Sequence, residues 1–274
     1  MKIIIPMAGL GSRFQKASET NEEYKKPKPF INVRGYPMVR WATGALPFIE
    51  HPGQNINSPI KVTPKDMIFI ILKEHNDSHN IESGLKEIYS NDIRVIILPE
   101  LTRGASETAY KAKPFLDENE EIIITDSDHY FDGKILEDSI IKNHGTDTVG
   151  IIPVFIAKNE GVAKWSYSLT ENNGTRILET REKSRELMEA GAYANIGAYY
   201  FSKAKYFFDE FEKVERENKM FGEEGKKEFF VAPLYQEMIE FGKHVEAAIL
   251  PEVWGLGTPS DLEYFLKNNN KINP

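Results

Sequence analysis

Four short apolar runs rich in β-branched residues punctuate the first half of the chain: Ile3 to Pro6, Met67 to Leu72, Ile93 to Leu98 and Ile122 to Thr125. Each is bounded by polar or turn residues and is apolar at nearly every position rather than at every second one. That pattern predicts strands covered on both faces. Longer amphipathic stretches lie between them, at Pro37 to Ile49, Asn76 to Tyr89 and Ala105 to Leu116. These predict helices, with Pro37 suited to a first turn. Strands alternating with helices imply an α/β fold with a parallel sheet and right-handed crossovers.

The second half has a different rhythm. Thr148 to Phe155, Trp165 to Leu169, Thr175 to Glu179 and Ala192 to Phe201 read as strands separated by turns such as Asn172-Asn173-Gly174. They predict a mixed or antiparallel extension of the sheet. Helices are expected at Lys203 to Glu215 and Phe229 to Phe241, a strand at Val245 to Leu250, and a last helix from beyond Pro259 to about Asn268. The charged stretch 215–227 reads as an exposed connection. No internal repeat or clean linker divides the 274 residues, so a single domain over 1–274 is expected.

Composition narrows the function classes. The net charge of −8 argues against a nucleic-acid partner, which would need a basic surface to displace counterions. It leaves room for a single nucleotide, which needs only a few local donors. The absence of cysteine removes disulfides, zinc-thiolate sites and thiol nucleophiles. The apolar run at the N-terminus is too short for a signal peptide, and no stretch approaches a membrane span. Cytoplasm is the expected compartment, without a membrane partner.

The chemistry-bearing residues begin directly after the first run. In Ala8-Gly9-Leu10-Gly11-Ser12-Arg13-Phe14 the glycines free the backbone to approach a ligand and turn amides toward phosphate oxygens. Arg13 adds a planar, permanently charged donor. Lys28, between Pro27 and Pro29, can bring a second cation to the same place. The loop has neither the Gly-Lys-Ser/Thr of a Walker loop nor the third glycine of a dinucleotide fingerprint. Asp128, with Asp126 two residues before it, follows Ile122-Ile123-Ile124 and so lies where open α/β sheets bind ligands. Alone, the glycines read equally well as a tight turn, and the aspartates as turn or cap residues. Of the six histidines none has a zinc-motif spacing, and His129 draws notice only because it adjoins Asp128.

Taken in order, Ile5-Pro6-Met7-Ala8-Gly9-Leu10-Gly11-Ser12-Arg13-Phe14, Lys26-Pro27-Lys28-Pro29-Phe30, Thr125-Asp126-Ser127-Asp128, Glu182-Lys183, Asn195-Ile196-Gly197 and Gly257-Thr258-Pro259-Ser260-Asp261-Leu262 resemble the motifs of the sugar-phosphate nucleotidyltransferase family. Lys164-Trp165-Ser166-Tyr167 and Trp254-Gly255-Leu256-Gly257 resemble a bacterial surface-polysaccharide subgroup that includes a phosphoglutamine cytidylyltransferase. The resemblance implies a GT-A/Rossmann-like nucleotidyltransferase fold. Residues 1–145 would mainly bind nucleotide and 146–274 mainly acceptor. It implies transfer of NMP from an NTP (CTP, UTP or dTTP) to a sugar 1-phosphate or similar small phosphorylated acceptor, with release of pyrophosphate. Arg13 and Lys28 would be catalytic, and Ala8 to Arg13 with Gly104 and Ala105 would bind the nucleotide. Glu182, Lys183, Asn195 and Lys164 would bind the acceptor, and Asp128 and Asp126 would hold Mg2+. Homo-oligomerisation is left open.

The chain departs from the family at one point: many relatives carry a metal-binding aspartate where this sequence has Gly255. Two alternatives stand beside the transferase reading. Asp126-Ser127-Asp128 spells the Asp-x-Asp of GT-A glycosyltransferases. Gly255 also suits a nucleotide-sensing subunit without turnover.

Overall fold

The computed structural model describes residues 1–54, 56–157, 162–222, 225, 227–269 and 274. They form two compact units built from interleaved stretches of chain. The first unit comprises Ile3–Leu101, Thr125–Lys134 and Glu252–Pro274, and the second comprises Met1–Lys2, Thr102–Ile124 and Ile135–Pro251. The class is α/β, a central sheet flanked by helices, as the alternation of runs predicts.

In the first unit the strand Lys2–Pro6 pairs in parallel with Met67–Leu72, which pairs in parallel with Arg94–Leu98. Ile3, Ile4, Ile5 and every residue of Met67–Leu72 are buried, as expected of strands covered on both faces. Arg94–Leu98 departs from that expectation: it ends the ladder, and only Leu98 is buried while Ile97 is exposed. A run of branched residues does not reveal which strand will be the edge.

The helix expected over Asn76 to Tyr89 is two helices, Lys73–His79 and Ile81–Ile88, divided at Asn80 in the left-handed conformation (φ 50°). Asparagine tolerates that backbone better than most residues. The Asn76 side chain then accepts from the Glu82 amide at 2.9 Å, satisfying a donor at the start of the second helix. The expected helix Pro37 to Ile49 is shorter, Met38–Gly44, with Pro37 as its N-cap. A cluster of Phe14, Tyr24, Ile31, Val33, Met38, Trp41, Leu256, Leu262 and Phe265 forms the core beside it. The helix Pro259–Asn268 is capped by Thr258, whose hydroxyl accepts from the Asp261 amide at 3.1 Å.

His51 lies in this unit at 2% exposure, its ring beside Tyr89. Burial first, and the charge of Arg40 second, lower its pKa to about 4. The unfolded chain therefore binds a proton between pH 6.5 and pH 4 that the folded chain refuses, so stability is lost as pH falls through that window. The loss reaches roughly 3 kcal/mol. Urea midpoints measured from pH 7 to pH 4 should fall less steeply for His51→Phe than for the native chain. Parallel falls would show that His51 is not the sensitive group.

The second unit carries the mixed extension. Its strands run in the order Ile177–Glu182, Ser166–Thr170, Tyr193–Asn195, Thr148–Phe155, Ala198–Phe201, Ile122–Thr125. The pairs from Ile177–Glu182 through to Ala198–Phe201 are antiparallel, and His244–Leu250 lies parallel to Thr148–Phe155. The single strand expected over Ala192 to Phe201 is broken by a tight turn in which the Ala198 amide donates to the Ile196 carbonyl at 2.7 Å. Helices Ala204–Arg216 and Ala232–Glu240 belong to this unit. A further helix, Gly133–Asn143, answers to no sequence expectation. Of the connection 215–227, residues 223, 224 and 226 lie outside the described residues. Among the described residues no helix is long and apolar enough to cross a membrane.

Candidate active site

The strand Lys2–Pro6 delivers the glycine loop of the first unit. Ala8 is buried, while Gly9 and Leu10 are exposed. A Cβ on Gly9 would meet nothing within 4 Å, so the space over it is open to a ligand. Gly11 is constrained twice. Its φ of 64° is left-handed, and a Cβ there would lie 3.1 Å from Lys28 Cβ. That close approach packs the loop against the start of the short 3-10 helix Lys28–Phe30. Ser12 and Arg13 are exposed on the one-turn helix Ser12–Lys16, which Phe14 pins into the core.

Lys28 Nζ donates to Asp128 Oδ2 at 2.8 Å, across 100 residues of sequence. Both side chains are mostly shielded, at 27% and 11% exposure. Burial alone would depress the ammonium, but the carboxylates of Asp128 and Asp126 outweigh it and hold Lys28 above its usual range. Burial also opposes the charge on Asp128, yet Lys28, His129 and Arg13 together hold that carboxyl below its usual range. The charge of Arg13 thus reaches both members of the pair, although Arg13 itself faces solvent.

The chain's C-terminal ribbon closes on Asp128. Val253–Gly255 pairs antiparallel with His129–Phe131, and the Leu256 amide donates to the Asp128 carbonyl at 2.8 Å. A Cβ on Gly257 would overlap Asp128 Oδ2, so only glycine lets the carboxylate sit there. The place of Gly257 in the Gly-Thr-Pro motif does not by itself reveal this task. Asp126, Asp128 and His129 present ligand atoms that all lie within 4.8 Å of one another. Two carboxylates, one of them backed by the Lys28 ammonium, form a donor set that would hold a divalent ion able to neutralise phosphate charge.

The remaining candidates lie in the second unit. Gly104 has a φ of 152°, and a Cβ there would stand 2.5 Å from both the N and the O of Phe229. Hydrogen bonds from the Phe229 amide to Arg103 O and from the Ser106 amide to Phe229 O, each 2.9 Å, lock that approach. Gly104→Ala should therefore lose about 2–3 kcal/mol of stability, read from a urea melt. An unchanged midpoint would mean the segment yields easily. Ala105 follows as the first residue of the helix Ala105–Tyr110, the start of the helix expected to reach Leu116.

Glu182 ends its strand and accepts from the Ser166 hydroxyl. Burial pushes its carboxyl above the usual range, with Ser166 and Lys183 opposing. Lys183 holds a left-handed backbone (φ 49°), anchored by its amide on Trp165 O at 2.9 Å. Such a conformation is costly for a lysine and is common where a side chain must be aimed. Its ammonium lies over the Phe230 ring, 5.3 Å from the centroid. Asn195 is buried, accepting from Ser168 Oγ at 2.7 Å and donating to Thr180 Oγ1 at 3.2 Å. Lys164 is exposed beside Trp165, which packs edge-on against Phe155. The partners Ser168, Thr180 and Phe230, and the pairing of Ser166 with Glu182, are not legible in the sequence, because the separations of 15 to 47 residues between partners follow no helical or strand period.

Solved structures of similar fold include a nucleoside-diphosphate-sugar pyrophosphorylase from Vibrio cholerae RC9, at 22% identity and TM-score 0.73, covering 97% of this chain and all of that one. A UDP-glucose pyrophosphorylase complexed with UDP-glucose matches at 15% identity and TM-score 0.68, over 97% of each chain. An inositol-1-phosphate CTP transferase from T. maritima matches at 12% identity and TM-score 0.65, covering 99% of this chain and 98% of that one. At these identities the likeness is one of fold. No curated protein matches the sequence. The sequence model of one family, described as nucleotidyl transferase, matches residues 29–263. That span takes in Lys28's neighbour Pro29, the Asp126–His129 segment and the Gly-Thr-Pro turn, and with most of the chain so matched, this protein belongs to the nucleotidyl transferase family.

Proposed function

We propose that this nucleotidyltransferase transfers NMP from CTP, UTP or dTTP to a sugar 1-phosphate or similar small phosphorylated acceptor, supplying activated precursors for surface polysaccharide in the cytoplasm. The observation that carries the reading is the charged pair of Lys28 and Asp128 beside Arg13, under a glycine loop whose Gly9 faces open space. A triphosphate needs such a cradle of amides and cations, whereas a diphosphate donor held by an Asp-x-Asp motif does not. The family match supports it over the glycosyltransferase alternative.

In the reaction an acceptor phosphate oxygen forms a bond to the α-phosphorus, and the bond from that phosphorus to the bridging oxygen of the β-phosphate breaks. The electron pair leaves on pyrophosphate. The attacking phosphate is already an anion, so positioning and charge neutralisation carry the catalysis rather than proton transfer. Lys28, kept charged by Asp128, would neutralise the α-phosphate. Arg13 would grip the outer phosphates with a planar fork. Magnesium held by Asp128 and Asp126 would neutralise charge building on the phosphate oxygens. Glu182, Lys183, Asn195 and Lys164 would bind the acceptor, Gly104 and Ala105 would take the base and ribose, and the whole of 1–274 would act as one catalytic domain.

The test is pyrophosphate release from each NTP with magnesium against a panel of sugar 1-phosphates and phosphorylated metabolites, phosphoglutamine included. Pyrophosphate from one NTP–acceptor pair is the expected result. NTP binding without pyrophosphate from any pair would indicate a nucleotide-sensing subunit and overturn the proposal.

A further inference from the structure

The donor set around Asp128 contains a nitrogen. His129 Nδ1 lies 3.4 Å from Asp128 Oδ1 and 3.6 Å from Asp126 Oδ2. Donors in adjacent positions on an octahedral ion with bonds near 2.1 Å stand about 3 Å apart. The two separations from the imidazole thus already stand close to the spacing that one ion would impose, and the two carboxylates lie within 4.8 Å of each other. Asp128 divides its two oxygens: Oδ2 takes the Lys28 ammonium and Oδ1 is the one facing the imidazole.

The neighbouring strand Val253–Gly255 offers no side-chain oxygen to replace that nitrogen. Gly255 is the residue paired with His129. Neither backbone nor packing requires glycine there, since its φ is not left-handed and the nearest atom to a Cβ would be Asp261 Cβ at 3.6 Å. The strand carries no carboxylate at 255, and the imidazole is the side chain that the strand pair does provide.

We propose that His129 Nδ1 is the third protein donor of this metal site, with Asp126 and Asp128, and that the mixed set favours a first-row transition ion such as Mn2+ over Mg2+. Mg2+ holds almost exclusively oxygen ligands and demands near-ideal octahedral geometry. Affinity for a nitrogen donor instead rises from Mn2+ along the first row, so an imidazole shifts the balance toward the transition ions, Mn2+ the least of them. This rests on the metal-and-triphosphate reading of the site but is tested apart from turnover.

The probe is Mn2+ added to the full chain, alone and with inorganic tripolyphosphate, which contains no nitrogen. Pulsed electron paramagnetic resonance should show nitrogen-14 modulation in the native protein. His129→Asp should still bind Mn2+ but lose the modulation, and the affinity ratio of Mn2+ to Mg2+ should fall at least tenfold. Circular dichroism confirms that the variant is folded. Mn2+ bound without nitrogen modulation, modulation that survives His129→Asp, or no Mn2+ binding would each overturn the inference. Pyrophosphate release alongside any of these leaves the nucleotidyltransferase reading standing. Nitrogen modulation with no pyrophosphate from any NTP would leave the metal site standing and sink the proposed reaction.

Discussion

Lys28→Met is expected to lower kcat/KM by about 10³-fold, the scale on which losing one preorganised charge at a reacting oxyanion is felt. The same change should cost about 2–3 kcal/mol of stability, because it strands Asp128 as a shielded carboxylate without its cation. Methionine keeps most of the side chain's length, so a cavity contributes little. The two losses have different origins and can be separated. In Lys28→Met/Asp128→Asn neither charge remains, and stability should return to within about 1 kcal/mol of the native chain. Activity should stay at or below that of the single variant. Recovery of both together would show that Lys28 only balances Asp128, and a single variant that keeps its activity would remove Lys28 from the chemistry. Steady-state pyrophosphate release and urea melts of the three proteins decide the matter.

That pair also marks the limit of what the sequence makes readable. Lys2–Pro6 and Met67–Leu72 are legible because a strand covered on both faces is apolar at every position. Arg94–Leu98 has the same composition and still lies at an edge, since position in a sheet is decided by distant pairings. The break at Asn80 depends on a side chain six residues ahead of the amide it accepts from, which a periodicity window averages away. In the site, the motifs name Lys28, Asp126 and Asp128 but not why Gly257 must be glycine. That reason is a ribbon joining His129–Phe131 to Val253–Gly255, more than a hundred residues on. His129 illustrates the same point. Its neighbourhood with Asp128 is visible in the sequence, whereas the facing Gly255 and the Nδ1 separations exist only once the strands pair.

Arg13→Ala should separate binding charge from structural charge more cleanly than any change at Lys28. Arg13 is exposed on a single turn of helix, and Phe14 rather than Arg13 anchors that turn. Its loss should therefore leave stability within about 0.5 kcal/mol of the native value. Activity should nevertheless fall about 10²- to 10³-fold, because the guanidinium would meet the triphosphate where charge is redistributed. The form of the loss is diagnostic. A fork that grips phosphates in ground and transition states alike raises KM, whereas one that engages only the departing pyrophosphate lowers kcat. Arg13→Lys tests the geometry: a point charge restores attraction but not two parallel hydrogen bonds, so it should recover only part of the deficit. Salt supplies a second axis. An exposed cation is screened by added chloride while the shielded Lys28–Asp128 pair is not. The native enzyme should lose NTP affinity as ionic strength rises, and Arg13→Ala should show a shallower decline. Full activity in Arg13→Ala, with an unchanged salt profile, would make this residue a surface arginine and return the glycine loop to an ordinary turn.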